Sequence, residues 1–193
     1  MVSRPGASSR ISNPVFQSDY PAYEKEDAIS FLDLIELNIG GKLRDAGVPL
    51  PYLRKVYNHL RQEYGDHPFC RRAIYVANRK IFTTGLSQDE GHSVIEAITK
   101  QAYFDRKILP FLEKIDYDRT TEQAIRWHIA NRVVIDPKIH FGQPIVEGVG
   151  IATSVLRDSS YANDRNAAFV AKWFGIGKEH VLAAVAFEEE LAA

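Results

Sequence analysis

The chain has 193 residues, 45% of them hydrophobic and 25% charged, which suits one large or two small folded domains and excludes a disordered chain. A net charge of -1 argues against a protein that coats nucleic acid without regard to sequence. The lone Cys70 rules out an internal disulfide, the start MVSRPGASSR lacks a signal peptide's apolar run, and runs such as Val181 to Phe187 fall short of the roughly 20 residues that cross a bilayer. The cytoplasm is the expected compartment, with no membrane partner.

Residues 1–28 mix Ser, Pro, Gly and charge without a period and read as a flexible arm. Ser30 and Asp33 form a capping-box-like pair, and Phe31, Leu34, Ile35, Ile39 and Leu43 recur at helical spacing until Gly47, which predicts a first helix. Pro51 opens a second helix, with Leu53, Val56, Tyr57, Leu60 and Tyr64 on its apolar stripe and Gly65 at its end. Two β-prone runs, residues 73–76 and 80–82, predict a small hairpin with a basic tip. A third helical stretch follows from about Gln88 to Lys107. Between Pro110 and Pro144 the pattern weakens into short β-prone runs, 126–129 and 133–135, with a turn at Asp136-Pro137, and this stretch reads as the joint between two domains.

Residues 167–186, AAFVAKWFGIGKEHVLAAVA, carry the sharpest local pattern. One amphipathic helix ends at Gly175, and a second starts at Lys178. Ala171 is the small residue at the crossing, Gly175 takes the left-handed turn, and Val170, Phe174, Ile176, Val181 and Ala184 lock the pair. The pattern is that of a helix-turn-helix, with an ordinary helical hairpin as the alternative. Trp127, Trp173 and Phe174 read as core aromatics at the joint and the crossing.

Charge is unevenly spread. From Gly40 to Lys80 nine basic residues stand against three acidic ones, so any DNA affinity is expected there, with Arg54, Lys55, Arg61, Arg79 and Lys80 on phosphates. From Gln143 onward four basic residues stand against seven acidic ones. The second helix of the helix-turn-helix is therefore expected to meet protein, with Val181, Leu182 and Val185 at the interface of a homodimer.

No residue pattern points to catalysis. Glu113, Asp116 and Asp118 read as a charged turn, and Asp136 as a turn-starting Asp before Pro. His59, His67 and Cys70 match no zinc spacing. G-x-S-x-G, P-loop and dinucleotide motifs do not occur. No catalytic residue, cofactor or metal is assigned.

The run from Val134 through Ile135-Asp136-Pro137 to Ile139, then Gly142-Gln143-Pro144-Ile145-Val146, Gly148-Val149-Gly150, Thr153 and the terminal stretch to Glu188, resembles the domain-of-unknown-function family four-three-three. The likeness covers Arg132 to Leu191. Upstream, residues 31–34, 44–50, 53–54 and 71–82 resemble the middle segment of longer antitoxins of the VapB type, and the two-helix segment is similar to helices that follow the winged helix in MerR-type regulators. Unlike those antitoxins, the chain shows no complete helix-turn-helix before Ser30.

The resemblance implies an antitoxin of a type II toxin–antitoxin system that neutralises a PIN-domain ribonuclease toxin and contributes to repression of its own operator DNA. Arg4, Arg10, Arg71 and Arg72 are possible toxin contacts, none assigned. A stand-alone DNA-binding transcriptional regulator and a structural dimer module are the alternatives. The expected fold is mainly α, with a flexible arm (1–28), a helical module with a β-hairpin (29–115) and a helix-turn-helix-like domain (116–193).

Overall fold

The computed structural model describes residues 14–20, 29–72 and 108–193. Within them the chain runs through α1 (Phe31–Asp45), α2 (Leu50–Tyr64), a 3-10 turn (Pro68–Cys70), a short α3 (Leu109–Leu112), strands β1 (Ile115–Tyr117), β2 (Ala124–Ala130), β3 (Val133–Ile135) and β4 (Pro144–Val146), and helices α4 (Thr153–Ala162), α5 (Ala167–Phe174) and α6 (Lys178–Leu191). The four strands form one antiparallel sheet in sequence order. The fold is thus a mixture of helices and sheet, where a mainly helical chain with a hairpin was expected. The expected hairpin at 73–82 and helix at 88–107 lie outside the described residues. None of the described helices is long and apolar enough to cross a membrane.

Helix α1 starts where the sequence says it must. Ser30 Oγ accepts the Asp33 N–H at 3.0 Å, and Asp33 Oδ2 accepts the Ser30 N–H at 3.4 Å. This reciprocal box satisfies backbone groups that a helix start otherwise leaves open. Helix α2 carries Pro51 in its first turn, where a missing N–H is harmless, and stops at Gly65 with φ 81.

The stretch from Pro110 to Pro144, expected to hold short β-prone runs, folds into the sheet. Runs of β-branched and aromatic residues fill β2 and β3, which pair through Trp127↔Ile135 and His128↔Val134. β1 pairs with β2 through Ile115↔Trp127, and β3 pairs with β4 through Val134↔Ile145. The sheet lies between two cores. The first gathers Ile35, Ile39, Leu43, Leu53, Tyr57, Leu60 and Phe69 from the helices with Ile115, Ala124 and Trp127, so β1 and β2 help to build the module that was expected to end at residue 115. The second gathers Val146 of β4 with Leu156, Ala167, Val170, Ala171, Val181 and Ala184.

Candidate functional site

The C-terminal unit is a three-helix arrangement. Asn166 caps α5 by accepting the Phe169 N–H at 3.1 Å. Gly175 ends α5 at φ 68, ψ 32, and the Ile176 N–H bonds back to the Ala171 carbonyl at 3.0 Å, which closes the left-handed helix end. Helix α6 then begins at Lys178. Val170, Ala171, Val181 and Ala184 are buried, and Phe174 and Ile176 pack against them, as the sequence predicts. Helix α4, which the sequence reading did not include, supplies the third wall through Leu156, and Thr153 at its start donates a hydrogen bond to Glu188 on α6.

Two expectations for this unit need correction. Val181 has no exposed surface and lies inside the chain's own core, so it is not available to a second copy. Leu182 is 50% exposed and Val185 partly buried, and these two remain available at the surface. Trp173 is not a core aromatic. It is 72% exposed and meets Phe169, one helical turn away, edge to face at 6.0 Å. Trp127 and Phe174, by contrast, pack against the first and second cores.

Of the residues expected to touch phosphate, Lys55 is exposed and Arg54 half-buried on α2. Arg61 is held by Asp66 at 2.6 Å, so its charge is already partnered. Arg79 and Lys80 lie outside the described residues, as do Arg4 and Arg10. Arg71 is committed to the fold: its Nη1 donates to the Thr121 carbonyl at 3.1 Å, and its backbone bridges to Gln123. Arg72 is exposed.

The acidic residues set aside as a turn divide. Asp118 does hold a turn, accepting the N–H groups of Thr120 and Thr121 at 2.9 and 2.8 Å. Asp116 instead sits on β1, 3.1 Å from His128 Nε2, and His128 Nδ1 lies 3.6 Å from Glu147. Asp136 accepts the Lys138 N–H, as a turn-starting Asp does, and also accepts Arg126 Nη2 at 2.8 Å. Burial pushes the Asp136 carboxyl up, but the Arg126 and Lys138 hydrogen bonds outweigh it and hold the group below the usual carboxylate range.

The densest polar cluster of the described residues is one that sequence reasoning missed. His59 is exposed on α2 and Cys70 donates to the Leu32 carbonyl at 3.3 Å, so the trio His59, His67 and Cys70 does not assemble as a ligand set. His67 meets carboxylates of α1 and the arm instead. Its Nδ1 is 3.2 Å from Glu36 Oε2 and its Nε2 is 2.8 Å from Asp19 Oδ1. Glu36 is fully buried and also accepts the Tyr57 hydroxyl at 3.0 Å and the Phe69 N–H at 3.2 Å. The hydrogen bond to Glu36, set against burial and joined by Asp19, pushes the His67 pKa up to about 9. The signal was present in the sequence: Asp33 and Glu36 stand three apart on the same helix as the apolar stripe of Ile35 and Ile39, where a charge is costly unless partnered.

No family model and no curated protein matches the chain. Among solved structures, the crystal structure of Rv2018 from Mycobacterium tuberculosis is similar in fold, with a TM-score of 0.70 and 18% identity over 89% of this chain and 85% of the other.

Proposed function

We propose that the chain is a binding protein, an antitoxin that holds a PIN-domain ribonuclease toxin inactive, with its C-terminal unit serving as a dimerising helix-turn-helix. The observation that carries this reading is the α5–Gly175–α6 unit. It closes on its own core yet leaves Phe169, Trp173 and Leu182 uncovered on the outside. Large exposed apolar side chains on a well-packed unit suit a protein partner better than phosphate, and the acidic excess of this half points the same way. The residues of the family resemblance fall on one continuous stretch, from β3 to α6.

A toxin of this class has a carboxylate-rich catalytic mouth, so an antitoxin disables it by covering the entrance or by placing an Arg among the acids. The test is co-expression with the PIN-domain product of a neighbouring reading frame. Co-elution of the two chains and loss of RNA cleavage support the antitoxin, and free elution of an active ribonuclease overturns it. The helix-turn-helix geometry favours a second reading, a stand-alone DNA-binding regulator. In that case the chain shifts operator duplex by itself and shows no toxin partner.

A further inference from the structure

We infer that Asp19, Asp33 and His67 form a binding site for a divalent transition cation, Zn²⁺ by its donor set, which fastens residues 14–20 to the helical core. One carboxylate oxygen from each Asp and one ring nitrogen of His67 lie within 4.8 Å of one another. The ligands come from three separated parts of the chain: the arm, the first turn of α1, and the residue before the 3-10 turn. One imidazole with two carboxylates suits zinc or a neighbouring first-row metal better than Mg²⁺ or Ca²⁺, which favour oxygen alone.

An acidic cluster alone would not carry this inference; the state of Asp33 does. Asp33 is only 4% exposed, and its Oδ1 is buried with no hydrogen-bond partner, 3.9 Å from His67 Nδ1. Its other oxygen, Oδ2, is fully engaged by Ser18 Oγ and by the N–H groups of Asp19 and Ser30. A buried carboxylate oxygen without a donor is costly and calls for a missing partner, such as an ion or a water. His67 also has a support behind it. Glu36 accepts from His67 Nδ1, which leaves Nε2 to face Asp19, and Glu36 is itself held by Tyr57 and Phe69. A carboxylate behind a histidine, fixing its tautomer, is the usual support of a metal-bound imidazole.

The spacing admits an ion after small side-chain adjustments. Two donors each about 2.1 Å from one zinc stand roughly 3–3.4 Å apart, so His67 Nε2 and Asp19 Oδ1, 2.8 Å apart without the ion, open by about 0.5 Å to admit it. The Asp33 carboxylate, whose donor atom lies within 4.8 Å of the other two, closes inward to complete the set. On binding, His67 releases one ring proton to solvent and the ion takes over its role as the positive centre among the carboxylates. Asp19 has a 42% exposed side chain, which gives the ion a way in and leaves room for a water as fourth ligand.

The experiment is calorimetric titration of the full chain, stripped with chelator, with zinc chloride. Saturable binding of one ion per chain is expected, with affinity at least tenfold weaker in Asp19→Asn and in His67→Asn. Asp19 lies outside the helices, so Asp19→Asn keeps the test valid if the buried variants unfold, with circular dichroism as the check. His59→Gln and Cys70→Ser are expected to bind as the unmodified chain does. Absence of saturable binding, unchanged affinity in Asp19→Asn, or loss of binding in His59→Gln or Cys70→Ser overturns the inference.

Discussion

Gly40 on α1 lies directly beneath the ring of Phe16: a methyl group in place of its hydrogen would stand 2.5 Å from Phe16 Cζ. The ring also meets Tyr57 and Phe69 edge to face at 5.0 and 5.8 Å. The arm is therefore seated by shape as well as by the Asp19 and Ser18 hydrogen bonds. Gly40→Ala should destabilise the chain by about 1–3 kcal/mol through overpacking. In a Phe16→Ala background the same change should stabilise by about 0.5–1 kcal/mol, since alanine is the better helix former once the ring is gone. Urea unfolding of the four chains measures both, and the same sign in both backgrounds would refute the contact.

Glu36 concentrates three donors on one buried carboxylate. Glu36→Leu leaves the Tyr57 hydroxyl, His67 Nδ1 and the Phe69 N–H without their acceptor, at an expected cost of about 3–5 kcal/mol. Glu36→Gln keeps an acceptor oxygen and should cost clearly less. Equal midpoints for the two variants in thermal unfolding would show that the donors find other partners.

Asp136 and Arg126 set an acid limb. The folded carboxyl sits below its ordinary value of 3.8, so its contribution is present above that pH and drains away as pH falls through the folded value. Asp136→Asn should lower stability at pH 6 and make the decline below about pH 4 shallower. An unaltered acid limb in urea titrations from pH 6 to pH 3 would remove Asp136 from the account.

Val181 and Leu182 are neighbours with opposite expected outcomes. Val181→Asp places a charge in a site with no exposed surface and should unfold the C-terminal unit. Leu182→Asp changes a half-exposed position, so it should keep the helical signal and weaken self-association. Circular dichroism and sedimentation of the two variants separate these effects. A folded Val181→Asp chain, or a Leu182→Asp chain that associates as before, contradicts the assignment.

The sequence made local features legible where one residue's chemistry decides them. Ser30 with Asp33, Pro51, Gly65 and Gly175 all act as their neighbours imply. Buried Val170, Val181 and Ala184 follow from helical spacing alone. Features that depend on distant partners were hidden. β1 and β4 are each three residues long, too short for a period, and exist because β2 and β3 give them hydrogen-bonding edges. The His67 cluster joins residues up to 48 positions apart, which no spacing rule reaches. Trp173 was misplaced because an apolar residue in an apolar helix looks internal, and only the turn of α5 against α6 decides which face is outside.

The consecutive order of the sheet has a consequence for how the chain acquires its structure. Each strand after β1 pairs with the one before it, and α4, α5 and α6 pack on one another, α6 mostly on α4. Such wiring keeps most loop closures in the sheet short, which favours early formation. Contacts within the sheet and among the last three helices can thus close without the helices of the first core, on which β1 and β2 also pack. The arm contact, in which Asp19 must find His67 48 residues away, closes a longer loop than Thr153 to Glu188 at 35 and is expected to form late. Rapid mixing with a fluorescent label at the exposed Gln17 would register that docking after the helical signal is complete.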